Sequence, residues 1–211
     1  MPRYCVRMAV LRPQVAGVIL AGGRAARMGG RDKAFARVGG EPIAVRTVRL
    51  LRDLFPQIVV ATNRPERFED LTVETVADEF PGCGPLAGIH AALRASRLPH
   101  AFVVACDMPN LQTEPIRFLV DRIGAADAIV PCWDGDVEPL HAVYATRCFP
   151  AIEASLRAGR HAMRDFLGTV RVDWVSEAEL AAVRGTAASL TNVNTPEELA
   201  AVGGRFVELE R

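Results

Sequence analysis

Lysine is almost missing from this chain. Of 25 basic residues only one, Lys33, is lysine, and the rest are arginine. Charge of one sign is not in excess either: 25 acidic residues bring the formal net charge to zero. A chain without a global field does not collect on nucleic acid or on an anionic membrane, so any anionic ligand must be met by local groups. Long apolar runs are missing too. None approaches the ~20 residues of a membrane span. The first 14 residues carry Arg3, Arg7 and Arg12 and no continuous apolar stretch, so they do not read as a signal peptide. They read as an N-terminal extension, with Met8 as a second candidate start besides Met1. The five cysteines (Cys5, Cys83, Cys106, Cys132, Cys148) are odd in number, scattered, and form no C-x-x-C pair. That usage fits reduced thiols in a cytoplasm, most of them small buried hydrophobes, better than a disulfide framework or a zinc site. His90, His100 and His161 have no metal-ligand spacing.

What is present is a chain of 211 residues, half of them hydrophobic, enough for one domain with a substantial core. Short β-rich runs alternate with helical patterns. Strands are expected at 15–20, 58–62, 73–76, 101–106, 128–131, 140–145 and 172–175, and helices at 42–55, 86–96, 114–123, 149–158 and 195–202. Thr195-Pro196-Glu197-Glu198 is a helix start, with an N-cap, a first-position proline and early acids. Continuous apolar strands between helices predict a single three-layer α/β/α domain whose sheet is mostly parallel and covered on both faces. There is no internal repeat and no linker. The domain is expected to span 15–211, after the extension at 1–14. Ligands of such sheets bind outside the carboxyl ends of the strands. Gly22, Asn63 and Asp107 each follow an expected strand.

The first strand opens into Gly22-Gly23-Arg24-Ala25-Ala26-Arg27-Met28-Gly29-Gly30-Arg31-Asp32-Lys33. The glycines let the backbone approach phosphates and aim N–H groups at them. Arg24, Arg27, Arg31 and Lys33 add positive charge. Lysine is a compact point charge on a slim stem, where arginine is a planar fork. The Walker pattern is missing, because no lysine directly follows a glycine. The dinucleotide fingerprint G-x-G-x-x-G is missing as well; Gly82-Cys83-Gly84-Pro85-Leu86-Ala87-Gly88 has one residue too many. An ordinary strand-to-helix connection with solvated arginines is the plain alternative.

Leu20-Ala21-Gly22-Gly23-x-x-x-Arg27-Met28-Gly29-x-x-Asp32-Lys33 resembles the signature loop of nucleotidyltransferases that act on small cofactors and sugars. The molybdenum cofactor guanylyltransferase family, with its Rossmann-like fold, is the nearest match. Thr62-Asn63-Arg64, Asp78 with Gly84-Pro85-Leu86-Ala87-Gly88, and Ala105-Cys106-Asp107-Met108-Pro109 resemble its later nucleotide and metal segments. Pro139-Leu140-His141-Ala142-Val143-Tyr144 and Asn192-Val193-Asn194-Thr195-Pro196-Glu197 resemble its acceptor-side elements. The likeness runs over about residues 15–200 in family order, and implies a nucleotide-binding half at about 15–125 and a pterin-side half at about 126–200.

The resemblance implies an enzyme that transfers GMP from GTP to molybdopterin, with or without molybdenum, and releases pyrophosphate. It implies Mg²⁺ held by Asp107, and catalysis by Lys33 and Asp107. Nucleotide contacts would come from Leu20, Ala21, Gly22, Gly23, Arg27, Lys33, Asn63, Asp78 and Asp107. His141, Asn192 and Asn194 would lie on the pterin side. Each residue has a structural alternative: a turn for Asp107 before Pro109, Asx-turns or caps for the asparagines and Asp78, and a core position for His141. Where the family often has Gln before Pro-Leu, this chain has Glu138. The partners implied are GTP, molybdopterin, and transient cofactor-delivery and acceptor proteins. Three other readings stand beside this one: a cytidylyltransferase for the same cofactor or a sugar-phosphate nucleotidyltransferase, a non-catalytic nucleotide-binding regulator, and an NAD-dependent oxidoreductase. The last lacks its fingerprint, and the regulator has no reason to keep both Lys33 and Asp107.

Overall fold

A computed structural model of the protein describes residues 14–22 and 33–206. Gly23, Arg27, the rest of the basic loop and the N-terminal extension lie outside the described residues. In chain order the elements begin with β1 (Val15–Leu20), β2 (Arg37–Val38), β3 (Glu41–Pro42), α1 (Ile43–Leu54), β4 (Gln57–Ala61) and β5 (Glu74–Val76). There follow α2 (Pro85–Ala95), β6 (His100–Ala105), α3 (Thr113–Asp121), β7 (Ala128–Trp133), β8 (Asp136–Val137), β9 (His141–Ala145) and α4 (Phe149–Arg157). The chain closes with α5 (Met163–Leu167), β10 (Val172–Val175), α6 (Glu177–Ala181), α7 (Thr186–Ser189), α8 (Pro196–Ala201) and β11 (Gly204–Arg205).

The main sheet has the order β10-β7-β9-β6-β1-β4-β5, with β8 paired to β7. All six residues of β1 are buried, as a central strand of a two-sided sheet requires. Alternation sorts its side chains. Val15 and Ile19 join Ile58, Val60, Phe102 and Val104 on one face, against Val48 and Leu51 of α1 and Ile116 and Leu119 of α3. Val18 and Leu20 join Val59, Ala61, Ala101 and Val103 on the other, against Leu86 and Ile89 of α2 and Ile152 and Leu156 of α4. The three-layer expectation is met.

β1 pairs in parallel with β4 and β6, β4 with β5, and β10 with β7. β9 departs from this, running antiparallel to both β6 and β7. The cause is local. β7 is followed by Asp134-Gly135, both at positive φ (53° and 78°), an Asp-Gly pair suited to a tight hairpin. The chain then returns through β8, and too few residues remain for the crossover that a parallel neighbour needs.

A second sheet, β11-β2-β3, was not expected from the sequence. Its two-residue strands are too short to show a period. It covers a satellite core of Ala36, Val38, Ile43, Val193 and Leu199, which ties the chain after Lys33 to the segment after Asn192. Among the described residues, no helix is long and apolar enough to cross a membrane.

Candidate active site

Gly22, Asn63, Asp78 and Asp107 follow the carboxyl ends of four neighbouring strands, β1, β4, β5 and β6. Past the end of β1, Ala21 N–H donates to Ala61 C=O at 2.9 Å, and Leu20 C=O accepts from Cys106 N–H at 3.1 Å. The ladder therefore extends beyond the strand, and Gly22 emerges between the segments that carry Asn63 and Asp107. Leu20 is buried, so only the backbone of Leu20, Ala21 and Gly22 is suited to meet a ligand.

Asn63 and Asp78 hold each other. Asn63 Nδ2 donates to Asp78 Oδ2 at 3.2 Å, and Asp78 N–H donates to Asn63 Oδ1 at 3.1 Å. This reciprocal bracket replaces the separate turn and cap that each residue type would permit alone. Burial pushes the Asp78 carboxyl up, and the bond from Asn63 opposes the shift. α2 closes over the bracket. Its N-cap, Gly84, has φ +72°, a left-handed conformation that favours glycine. One turn on, a Cβ at Gly88 would lie 3.2 Å from Leu20 Cδ2 and 3.7 Å from Asp78 Oδ1. Glycine is what lets the helix lie this close to β1.

The second cluster contains the lone lysine. Lys33 Nζ lies 3.6 Å from Asp107 Oδ2 and donates to Asn194 Oδ1 at 2.9 Å. Lys33 and Asp107 are mostly covered, with 21% and 24% of their side chains exposed. Burial raises the Asp107 pKa, the Lys33 charge works against that, and the Glu198 carboxylate adds to it. The segment after Asn192 is fastened here by Val193 N–H donating to Asp107 C=O at 2.9 Å. The Thr195–Glu198 capping box then directs Glu198 Oε2 to the backbone N–H groups of both Asn194 and Thr195.

His141 does not join either cluster. It is fully buried, its Nε2 lies 3.0 Å from Ser189 Oγ, and its ring packs edge-on against Phe102. Burial lowers its pKa to about 4, so it stays neutral. The structure thus favours the core alternative over pterin contact for His141. Tyr144 is buried as well, and its hydroxyl donates to Pro139 C=O at 2.7 Å. Burial pushes the Glu138 carboxyl up, the Asn192 amide opposes the shift, and Asp136 and Asp107 add to it. Sequence reasoning missed two links here, Glu138 to Asn192 and Glu198 to Asn194. The second was available as the T-x-x-E pattern, read only as a helix start.

No group of three or more His, Cys, Asp or Glu side chains suited to a metal occurs among the described residues. Asp107 is a single carboxylate in a partly dehydrated site. That suits Mg²⁺, which takes one or two carboxylates together with substrate phosphates and waters.

Residues 17–176 match the family described as the MobA-like NTP transferase domain. The chain belongs to this family. The MobA-like span contains Gly22, Lys33, Asn63, Asp78 and Asp107, and ends before Asn192 and Asn194. A probable molybdenum cofactor guanylyltransferase of Pelotomaculum thermopropionicum is 40% identical over 186 residues, covering 88% of this chain and 90% of the relative. A molybdenum cofactor guanylyltransferase of Desulfosudis oleivorans is 36% identical, covering 88% and 92%. Among solved structures, molybdopterin-guanine dinucleotide biosynthesis protein A of Archaeoglobus fulgidus superposes with a TM-score of 0.76 at 27% identity, over 89% of this chain and 96% of that one. The fold extends beyond MobA-like proteins. 2-C-methyl-D-erythritol 4-phosphate cytidylyltransferase of Thermus thermophilus shares it at a TM-score of 0.61 and 20% identity, over 88% and 95%.

Proposed function

We propose that the protein transfers GMP from GTP to molybdopterin or its molybdenum-loaded form, giving the guanine dinucleotide cofactor and pyrophosphate. One observation carries this reading: Lys33, Asp107 and Asn194 converge beside the strand ends where Gly22, Asn63 and Asp78 meet. The terminal phosphate oxygen of the acceptor forms a bond to the α-phosphorus of GTP. The bond from that phosphorus to its bridging oxygen breaks, and the electron pair leaves with pyrophosphate. Two anions must approach, so positioning and charge neutralisation supply most of the catalysis, without a covalent enzyme intermediate.

Lys33 meets the phosphates as a point charge. The backbone of Leu20, Ala21 and Gly22 meets the triphosphate; Gly23 and Arg27, outside the described residues, are assigned to it by the motif alone. Asn63 and Asp78 serve the nucleoside, and Asn192 belongs to the acceptor side. Asp107 would hold Mg²⁺, which would supply neutralisation of charge on the phosphate oxygens. The reaction fits a cytoplasmic setting, with proteins that deliver molybdopterin and receive the dinucleotide.

The test is incubation with molybdopterin, Mg²⁺ and each nucleoside triphosphate in turn, measuring pyrophosphate and dinucleotide. Turnover with GTP alone is expected. Turnover with CTP alone makes the protein a cytidylyltransferase, and binding without turnover makes it a regulator.

A further inference from the structure

Asn194 lies in a segment that the motif order puts with the acceptor, yet its side chain faces the nucleotide machinery. Its Oδ1 accepts a hydrogen bond from Lys33 Nζ at 2.9 Å, while the Lys33–Asp107 separation is 3.6 Å. We propose that Asn194 is a positioning residue for Lys33, holding the ammonium beside Asp107 without allowing the two charges to close into a contact pair. It thereby serves nucleotide binding, not recognition of the pterin. The inference rests on the reading above for the nucleotide, for Mg²⁺ at Asp107 and for the molybdopterin acceptor.

A closed ammonium–carboxylate pair has a nitrogen–oxygen distance of about 2.7–2.9 Å. In a site this covered, such a pair would engage the carboxylate needed for Mg²⁺ and the cation needed for phosphate. A neutral amide oxygen takes up one of the three ammonium protons and adds no charge. Aspartate at position 194 would instead set two carboxylates in competition for one lysine.

The bond is also built from both sides. On one side, Ala36 N–H donates to Lys33 C=O at 3.0 Å, and Ala36 and Val38 are buried in the satellite core. On the other, Val193 and Leu199 are buried in that same core, and Val193 N–H is held by Asp107 C=O. Glu198 fixes the Asn194 backbone from below. Asn194 is itself exposed, so its truncation removes a hydrogen bond and not a packing contact.

The experiment is a double-mutant comparison on the full-length protein. Equilibrium binding of Mg²⁺·GTP and the KM for molybdopterin are measured for wild type, Asn194→Ala, Lys33→Ala and the double variant, with melting curves to verify folding. In Asn194→Ala, GTP binding is expected to weaken about tenfold, while the molybdopterin KM stays within about twofold. In the Lys33→Ala background, removing Asn194 is expected to change GTP binding by less than about twofold, because nothing remains to position. Asn194→Asp is expected to weaken GTP binding as well, by drawing Lys33 into a pair. A raised molybdopterin KM with unchanged GTP binding would overturn the proposal in favour of a pterin contact. An equal loss of GTP binding with and without Lys33 would also overturn it. Failure of the guanylyl reading is separate: if wild type turns over CTP and not GTP, the same comparison is run with CTP and still decides the role of Asn194.

Discussion

Lys33 and Asp107 differ from a surface ion pair in being largely covered, and this sets what each substitution should do. Lys33→Arg replaces a point charge by a fork that needs more room and points its donors elsewhere. Transfer is expected to fall at least about tenfold with the melting temperature unchanged, and wild-type rates would remove Lys33 from phosphate contact. Asp107 is held ionised at a cost, since its pKa is raised chiefly by burial. Asp107→Asn removes that cost along with the carboxylate needed for Mg²⁺. Its melting temperature should rise by a few degrees while Mg²⁺-dependent transfer falls by about a hundredfold or more. A variant that is both destabilised and active would contradict both roles. Lys33 and the apolar strand end before Asp107 were visible in the sequence. That Asn194 completes the cluster was not, because the two residues of that hydrogen bond are 161 positions apart.

At the scale of elements, the contact of α2 with β1 connects packing to the site. Gly88 allows it, and two effects compete when a side chain is added. Gly88→Ala gains about 1 kcal/mol of helix propensity, against a Cβ placed 3.2 Å from a buried leucine methyl, so its stability should change little. Gly88→Val adds branches that this spacing does not accept. A loss of about 2 kcal/mol in chemical denaturation is expected, with weaker GTP binding as α2 and the Asn63–Asp78 bracket move away from β1. Unchanged nucleotide affinity in a destabilised Gly88→Val protein would separate the packing from the site. Strands and helices of the main sheet were readable to within a residue or two, because buried strands and amphipathic helices have a local period. Shifts such as helix α1 starting at Ile43 and not Pro42 lie within normal fraying. β2, β3, β8 and β11 were missed because two residues carry no period. The reversal of β9 was readable in principle from Asp134-Gly135.

For the whole molecule, buried titratable groups set how stability responds to pH. His141 is neutral in the folded state, with a pKa of about 4 against an unfolded value of about 6.5. The unfolded chain binds the extra proton between those values. The stability is therefore intact above about pH 6.5 and is lost as pH falls toward about 4, by on the order of 3 kcal/mol. His90, buried between Phe80 and Phe149 and also lowered mainly by burial, acts in the same direction. Asp78, Asp107 and Glu138 have raised values and act oppositely, since the folded state takes up their protons first. Unfolding free energies at pH 7.5 and 5, compared between wild type and His141→Gln, isolate the histidine. The variant should show the shallower loss, and equal slopes would place the titration elsewhere.

The sequence by itself determined the α/β class, the positions of the main strands along the chain and the chemical character of the strand ends. Period, turn chemistry and motif spacing are local, and each is complete within a few residues. Only the tertiary structure decided that Asn63 and Asp78 bracket one another, that His141 belongs to the core, and that Asn194 faces Lys33. Those outcomes depend on strand order and on the β11–β2 pairing, which bring distant segments to hydrogen-bonding distance. No local pattern carries that information, because the energy that selects it comes from burying the satellite core and the sheet faces as a whole.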